Sequence, residues 1–304
     1  MNYRKIIPGL GMLVLCVMHN VHGQSLEPRL YSNAPVGLNF LIAGYGYSTG
    51  AALADPTVNL EDGELDLHVP FVAYARSFGL WGRSAKMDAI VPYGFLSGSA
   101  QVDGTYRTRE VDGFVDPSFR VSMNFIGAPA LKLREFMAYK QDFVLGGSFQ
   151  VVPPLGQYDS SRIVNLGANR WTFKPELGAS KAIGPVILEL ATAAALFTDN
   201  TDYNNGHTKS QDPLYSVQGH LVYTFPKGIW ASIDGTYYTG GKSEIDGANK
   251  QDRQANTRIG ATLAFPVNKK NSIKLYASSG VYTRVGSDFD TMGLAWQYRW
   301  GGGL

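Results

Sequence analysis

The sequence is poor in the features that mark three common classes of protein. Its 304 residues include one cysteine, too few for a disulfide-rich scaffold. It has no run of 18 apolar residues that could form a membrane-spanning helix. Only 17% of the residues are charged and 44% are hydrophobic, which excludes a disordered chain. Glycine is abundant, with 35 residues, and so is tyrosine, with 17; this excess is typical of β-rich proteins.

Residues 1–23 have the pattern of a secretory signal peptide. Arg4 and Lys5 precede a short apolar stretch, and small residues follow it. One alternative is a membrane anchor, for which the apolar stretch is too short. The other is a lipoprotein signal ending at Cys16, for which the preceding residue is too bulky. We therefore expect an exported mature chain that contains no cysteine.

Removal of this segment leaves an electrically neutral chain. The sequence has 27 basic and 25 acidic residues, and its first 23 residues contain two basic residues and no acidic ones. A net charge of zero gives no electrostatic attraction for nucleic acid, so we expect no nucleic-acid partner. The signal peptide alone leaves periplasmic, secreted and outer-membrane locations open.

Apolar and polar residues alternate with a period of two through the rest of the chain. In residues 85–95, for example, Met87 and Val91 alternate with Lys86 and Asp88. At about 3.3 Å per residue and a tilt of about 40°, strands of this length cross roughly 25–30 Å of hydrocarbon. The pattern predicts twelve strands, at 38–48, 64–77, 85–95, 115–126, 139–151, 171–180, 186–197, 215–225, 229–239, 256–265, 273–283 and 289–300.

The connections between these strands are alternately long and short, as in outer-membrane barrels. The longest are 49–63, 96–113, 152–170, 198–213 and 240–254. The sequence therefore predicts an all-β fold, a twelve-stranded antiparallel transmembrane (outer-membrane) β-barrel over residues 24–304. A soluble β-sandwich would also alternate, but its strands are usually only about 5–6 residues long.

In such a barrel the polar face of each strand lines the lumen. Acidic and basic residues balance there at eight of each, counting Glu64, Asp116 and Lys140, which does not favour a strongly ion-selective pore. These residues would form either a solute path or charge pairs that hold the barrel's shape, and pairing is favoured for most of them. The predicted lumen-lining residues are Asp66, His68, Arg76, Lys86, Asp88, Arg120, Asp142, Lys174, Glu176, Glu189, His220, Asp234, Arg258, Lys274 and Arg299.

The opposite, apolar faces would carry aromatic girdles at the two membrane interfaces. The predicted girdle residues are Tyr93, Phe95, Trp171, Tyr223, Phe225, Tyr237, Trp296, Tyr298 and Trp300. The histidines of the mature chain lack metal-ligand spacing, and His68 and His220 are predicted to face the lumen and not a serine on the lipid face, so we expect no enzyme activity, no catalytic residues, no cofactor and no metal.

Six short stretches, in this order along the chain, resemble the outer-membrane transporter-like family named for the meta-pathway of phenol degradation. They are 33–40, 91–94, 113–117, 154–159, 165–171 and 235–241. The resemblance covers nearly all of the mature chain and implies an outer-membrane barrel that passes small hydrophobic or aromatic compounds. Such barrels usually finish on an aromatic residue that the assembly machinery reads, whereas here Trp300 is followed by Gly301-Gly302-Gly303-Leu304.

Two functions fit these expectations. The first is a monomeric, porin-like barrel that contacts outer-membrane lipid and lipopolysaccharide, is inserted by the barrel-assembly machinery, and gives small solutes passive passage. The alternative is a structural or interaction barrel with a closed lumen that acts through its long extracellular loops. Residues 24–37 could fold inward as a plug, as Pro28 and Pro35 hint, so the sequence leaves open whether the lumen is open.

Overall fold

Long antiparallel strands that neighbour one another in chain order close into a barrel. The structure is a computed structural model and describes residues 26–50, 60–102, 105–285 and 288–304. The predicted signal peptide lies outside these residues. No helix within the described ranges has the length and apolar character needed to cross a membrane.

The first half of the barrel begins at Leu38. Its strands are β1 (Leu38–Gly50), β2 (Leu60–Leu80), β3 (Arg83–Val102), β4 (Thr105–Phe114), β5 (Ser118–Ile126), β6 (Phe143–Val152) and β7 (Thr172–Ile183). A one-turn helix, α1 (Leu133–Phe136), lies in the connection between β5 and β6.

The second half continues with β8 (Val186–Phe197), β9 (Asn200–Tyr203), β10 (His207–Gln211), β11 (Leu214–Thr224), β12 (Trp230–Gly240), β13 (Ser243–Ile245), β14 (Ala248–Asn249), β15 (Gln254–Pro266), β16 (Asn271–Tyr282) and β17 (Asp290–Gly301). Strands β9, β10, β13 and β14 form a separate four-stranded sheet, built from the β8–β11 and β12–β15 connections.

The other thirteen strands form one closed sheet of twelve barrel strands. β1 pairs with β2 on one side and with β17 on the other, from Leu38↔Gly301 to Thr49↔Asp290, which closes the barrel. β4 and β5 together make one barrel strand, because both pair with β3 and are separated only by residues 115–117. The predicted twelve-stranded antiparallel barrel is confirmed, and the chain does not form the two-sheet β-sandwich.

Burial alternates along the strands as the pleat requires, because successive side chains point to opposite faces. β12 shows this with Trp230, Ser232, Asp234 and Thr236 buried in the interior and Ile233 exposed outside. The closed barrel thus separates a polar inner row from an apolar outer row on this strand.

The two ends of the barrel differ in their connections. At the short-turn end, β2 and β3 are joined by Trp81 and Gly82, whose φ angles of +50° and +73° match a type I′ hairpin turn. At the opposite, long-loop end, the predicted loop 96–113 is mostly strand, because β3 runs on to Val102 and β4 pairs back along it. This hairpin extends the barrel wall where the sequence predicted an irregular loop.

Candidate functional site: a lumen filled by the N-terminal segment

Residues 26–36, which precede β1, form an N-terminal segment inside the barrel. Every residue from Leu26 to Pro35 is buried, although none belongs to a strand. Arg29 has a φ of +67°, a left-handed conformation uncommon for a residue other than glycine, and the amide of Ser32 donates to its carbonyl at 3.1 Å. This tight turn keeps the segment compact within the lumen.

The segment is tied to the wall by a three-residue ion-pair network. The guanidinium of Arg120 on β5 contacts the carboxylate of Glu27, and its Nε lies 3.1 Å from Asp88 Oδ2 on β3. All three side chains are less than a tenth exposed. Buried charges need such partners, so the single cation of Arg120 holds both a wall residue and a residue of the segment.

A second charged contact holds the next part of the segment. The amide of Arg29 donates to Glu189 Oε2 on β8 at 2.5 Å. The Arg29 guanidinium lies over the ring of Trp230, 5.3 Å from the ring centroid, in cation–π geometry. Together these contacts join the segment to β8 and β12.

Side chains of the wall also bind the segment's backbone. Lys86 Nζ donates to the carbonyls of Leu30 and Ser32, and Asn124 Nδ2 donates to the Tyr31 carbonyl at 3.2 Å. These donors satisfy backbone groups that have no strand partners. Ser77 Oγ, on β2, donates to the carbonyl of Pro35 at 2.5 Å, where the segment leads into β1.

Other predicted lumen residues form contacts within the wall. Lys174 Nζ and Glu176 Oε2 lie 3.5 Å apart on β7. His220 Nδ1 on β11 lies 2.8 Å from Asp234 Oδ1, and the second oxygen of Asp234 accepts a hydrogen bond from Ser232 at 2.9 Å. All four groups are buried in the interior; Lys174 and Glu176 lie two residues apart on one strand, whereas His220 and Asp234 pair across two neighbouring strands.

The last three predicted lumen residues also lie on inner faces. The Arg258 guanidinium is 3.9 Å from the ring centroid of Phe289, and Lys274 Nζ is 5.1 Å from that of Tyr276. Arg299 lies near the short-turn end, where its Nε donates to the Lys269 carbonyl at 2.8 Å.

Strand β2 has the opposite orientation from the one the sequence predicted. Its apolar residues Leu65, Leu67, Val69, Phe71, Ala73 and Ala75 face the interior and are at most 4% exposed. Asp66, His68 and Arg76 therefore lie on the outer face instead of lining the lumen. The physical reason is that the interior beside β2 is apolar. The apolar side chains of β2 pack there against Phe40 and Ile42 of β1.

The outward polar residues of β2 find partners near the long-loop end. Tyr47 Oη donates to Asp66 Oδ1 at 2.6 Å, and Tyr45 Oη hydrogen-bonds with His68 Nδ1. Asp142 also differs from its predicted place. It is exposed at the short-turn end and binds Lys181 at 2.5 Å, because it precedes β6 and lies beyond the closed wall.

The sequence did not predict that the β6–β7 connection folds into the barrel. Leu166 of this loop is 1% exposed and packs in the apolar cluster of β1–β3. Asp116, in the break between β4 and β5, holds the loop by accepting hydrogen bonds from the amides of Gly156 and Ala168, both at 2.7 Å. The sequence predicted residues 152–170 as a long connection, and nothing in their pattern indicated its inward path.

The interior thus has two walls of different chemistry. An apolar wall is formed by β1, β2 and the part of β3 that carries the buried Ile90 and Leu96, whereas the same strand also carries the buried charged residues Lys86 and Asp88. A polar wall of paired charges and hydroxyls is formed by the strands from β5 to β15. Within the described residues, no group of three or more His, Cys, Asp or Glu side chains is arranged to hold a metal ion.

The nine predicted girdle residues lie on the outer face or at its margin. Tyr93, Phe95, Trp171 and Tyr237 are on the long-loop half of the wall, and Tyr223, Phe225, Trp296, Tyr298 and Trp300 are on the short-turn half. Several contact each other, including Tyr223 and Phe225 with ring centroids 4.6 Å apart and Tyr298 and Trp300 at 5.7 Å.

The fold is that of outer-membrane β-barrels. It is similar to the COG4313 outer membrane channel from Pseudomonas putida F1, with a TM-score of 0.77 and 20% identity over 91% of this chain and 100% of that chain. It is more distantly similar to the transport unit of the autotransporter AIDA-I from Escherichia coli, with a TM-score of 0.49 and 8% identity over 86% of this chain and 90% of that chain. No curated protein sequence matches the chain.

The closed barrel and its filled lumen define the class of protein as a twelve-stranded barrel of the outer-membrane type. Residues 47–298 match the model of the family described as "Putative MetA-pathway of phenol degradation". The chain belongs to this family, in agreement with the resemblance of its short motifs.

Proposed function

We propose that the protein is an outer-membrane channel that gives passive passage to small amphipathic or aromatic solutes. It would reach that membrane through the predicted signal peptide, be inserted by the barrel-assembly machinery and act as a monomer among lipid and lipopolysaccharide. It would carry out no chemistry on its solutes. The similar Pseudomonas putida protein is an outer membrane channel, which supports this class of function.

The two-walled interior is the observation that carries the proposal. An apolar wall facing a polar wall suits a solute with a ring and a hydroxyl better than a hydrated ion. Three acidic groups of the interior pair with basic groups, Asp88 with Arg120, Glu176 with Lys174 and Asp234 with His220, and such pairs favour neither cations nor anions. The N-terminal segment fills the space between the walls, so passage requires that it moves.

Solute flux into liposomes tests this function. We expect liposomes containing the folded full chain to take up phenol, and the variant Glu27→Gln to take it up faster because Arg120 then holds the segment less strongly. Glu110→Gln is the matched control, since Glu110 is exposed on β4 and far in sequence from the segment. Each sample is shown to be folded by its shifted gel migration before boiling.

The filled lumen also favours the second candidate, a closed barrel that acts through its loops. The four-stranded sheet β9–β10–β13–β14, which is separate from the barrel sheet, would then be the interacting part. Folded samples of the full chain and of Glu27→Gln that both fail to pass phenol would contradict the channel and favour this candidate.

A further inference from the structure

The side chain of Tyr31 occupies a ring-shaped slot in the barrel wall. Gly146 on β6 and Gly178 on β7 are directly paired across the two strands and both face the interior. A Cβ atom on Gly178 would lie 2.1 Å from Tyr31 Cε2, and one on Gly146 would lie 2.5 Å from Tyr31 Cδ1. The ring therefore fits only because both positions lack a side chain.

The slot ends in a hydrogen-bond acceptor. Tyr31 Oη donates to Glu176 Oε1 at 2.9 Å. The Glu176 side chain is 5% exposed and also lies 3.5 Å from Lys174 Nζ, which fixes its position on β7. A hydrogen bond to a buried carboxylate is stronger than one between neutral groups, so the slot favours a ring that carries a hydroxyl.

The remaining interior beside the ring is filled. The cavity that Tyr31 shares with Glu27, Leu30, Glu176 and their neighbours has a volume of about 10 Å³, room for about one water molecule. Val144 and Ala128 pack with Tyr31 and give the slot an apolar rim. A ring enters this slot only when the Tyr31 side chain leaves it.

The rest of the segment is held independently of this ring. Asn124 binds the Tyr31 carbonyl, Lys86 binds the carbonyls on either side, and Arg120 binds Glu27. The tyrosine side chain is thus a phenol placed in the slot by a separately anchored backbone. Its chemistry identifies what the slot recognises: a planar six-membered ring with one hydroxyl donor.

We propose that the slot formed by Gly146, Gly178 and Glu176 is a binding site for a monocyclic phenol, in which Tyr31 sits as a tethered competitor. A free phenol and the Tyr31 side chain exclude each other, so occupancy by solute displaces this part of the segment. The inference rests on the proposed function only in assuming that solutes reach the lumen. A tethered group competes at an effective concentration on the order of millimolar, so the full chain binds phenol weakly.

Binding of phenol to the full chain in detergent, followed by ligand-observed NMR titration, tests the site without any flux measurement. We expect Tyr31→Ala to bind phenol about ten-fold or more tightly than the unaltered chain, because the competitor is gone. Tyr31→Phe keeps the ring but not the hydroxyl, so its affinity for phenol should fall between the two. In Tyr31→Ala, toluene should bind about ten-fold or more weakly than phenol, because it leaves Glu176 without a donor.

A blocked slot provides the decisive comparison. Adding Gly178→Val to Tyr31→Ala should abolish phenol binding, whereas adding Gly235→Val should not, because Gly235 on β12 has open space around its Cβ position. Equal phenol affinity in the unaltered chain, Tyr31→Phe and Tyr31→Ala, or binding that survives Gly178→Val, would overturn the site. Phenol binding without liposome flux would refute only the channel, and flux with no binding in the slot would refute only this inference.

Discussion

Arg120 on β5 and Glu27 in the N-terminal segment form an ion pair inside the barrel, across 93 positions of the sequence. The same guanidinium binds Asp88 on β3, so a permanent wall contact and a contact to the segment share one cation. Removing Glu27 leaves Arg120 paired with Asp88, whereas removing Arg120 takes the guanidinium away from two buried carboxylates at once. Substitution of Arg120 and substitution of Glu27 should therefore have very different effects on the stability of the barrel.

Arg120→Ala should destabilise the barrel much more than Glu27→Gln. Breaking a buried ion pair by removing one partner costs about 3–5 kcal/mol, and Arg120→Ala removes the partner that Asp88 and Glu27 share. Equilibrium unfolding by urea in detergent, read by tryptophan fluorescence, measures the difference. Equal losses of unfolding free energy in the two variants would show that Arg120 does not organise the network.

Gly44→Ala should destabilise the apolar wall by about 1–3 kcal/mol, since it overpacks a filled interior. A Cβ atom at this position on β1 would lie 2.2 Å from Phe71 Cζ and 2.9 Å from the carbonyl of Leu294. Thermal unfolding followed by circular dichroism measures the change. The matched control is Gly235→Ala, which has no atom within 4 Å of its new Cβ and should change stability by less than about 0.5 kcal/mol.

If Gly44→Ala were as stable as its control, Phe71 would not occupy the interior. That result would restore the orientation of β2 that the sequence predicted, with its polar residues in the lumen.

The contact between the β8–β11 connection and the β12–β15 connection should weaken only in acid. Asp246 accepts a hydrogen bond from the Thr208 amide at 2.8 Å and binds His207 Nδ1 at 2.5 Å, and these contacts lower the pKa of Asp246 below its ordinary value of 3.8. Because the folded-state pKa is depressed, this contribution is fully present above about pH 4 and is lost as the pH falls through the lowered pKa.

Carboxyl NMR titration of Asp246 measures that shift directly. We expect a pKa below 3.8 and faster hydrogen exchange of the Thr208 amide in Asp246→Asn at pH 6. The matched control is the substitution Asp212→Asn, because Asp212 is an exposed aspartate at the edge of the same loops. A titration of Asp246 at or above its ordinary value would contradict the loop contact.

Alternation predicted the barrel because the pleat imposes it on every strand, and on β3 it also predicted the inner face that carries Lys86 and Asp88. It failed on β2, where the interior is as apolar as lipid, so that a period of two does not tell which face points inward. The sequence did not indicate that Leu166 is buried in the interior, because its loop has no periodicity. Nothing in the alternating pattern distinguishes Gly146 and Gly178, and only their pairing beneath Tyr31 gives them a role.

The channel account depends on a segment that fills the lumen and can leave it. Planar-bilayer recording of single molecules tests this most directly, by comparing the folded full chain with a variant that lacks residues 26–34. The account predicts rare or small conductance steps for the full chain and frequent, larger steps for the shortened variant. Equal conductance in the two, with both barrels shown to be folded by their gel migration, would contradict it.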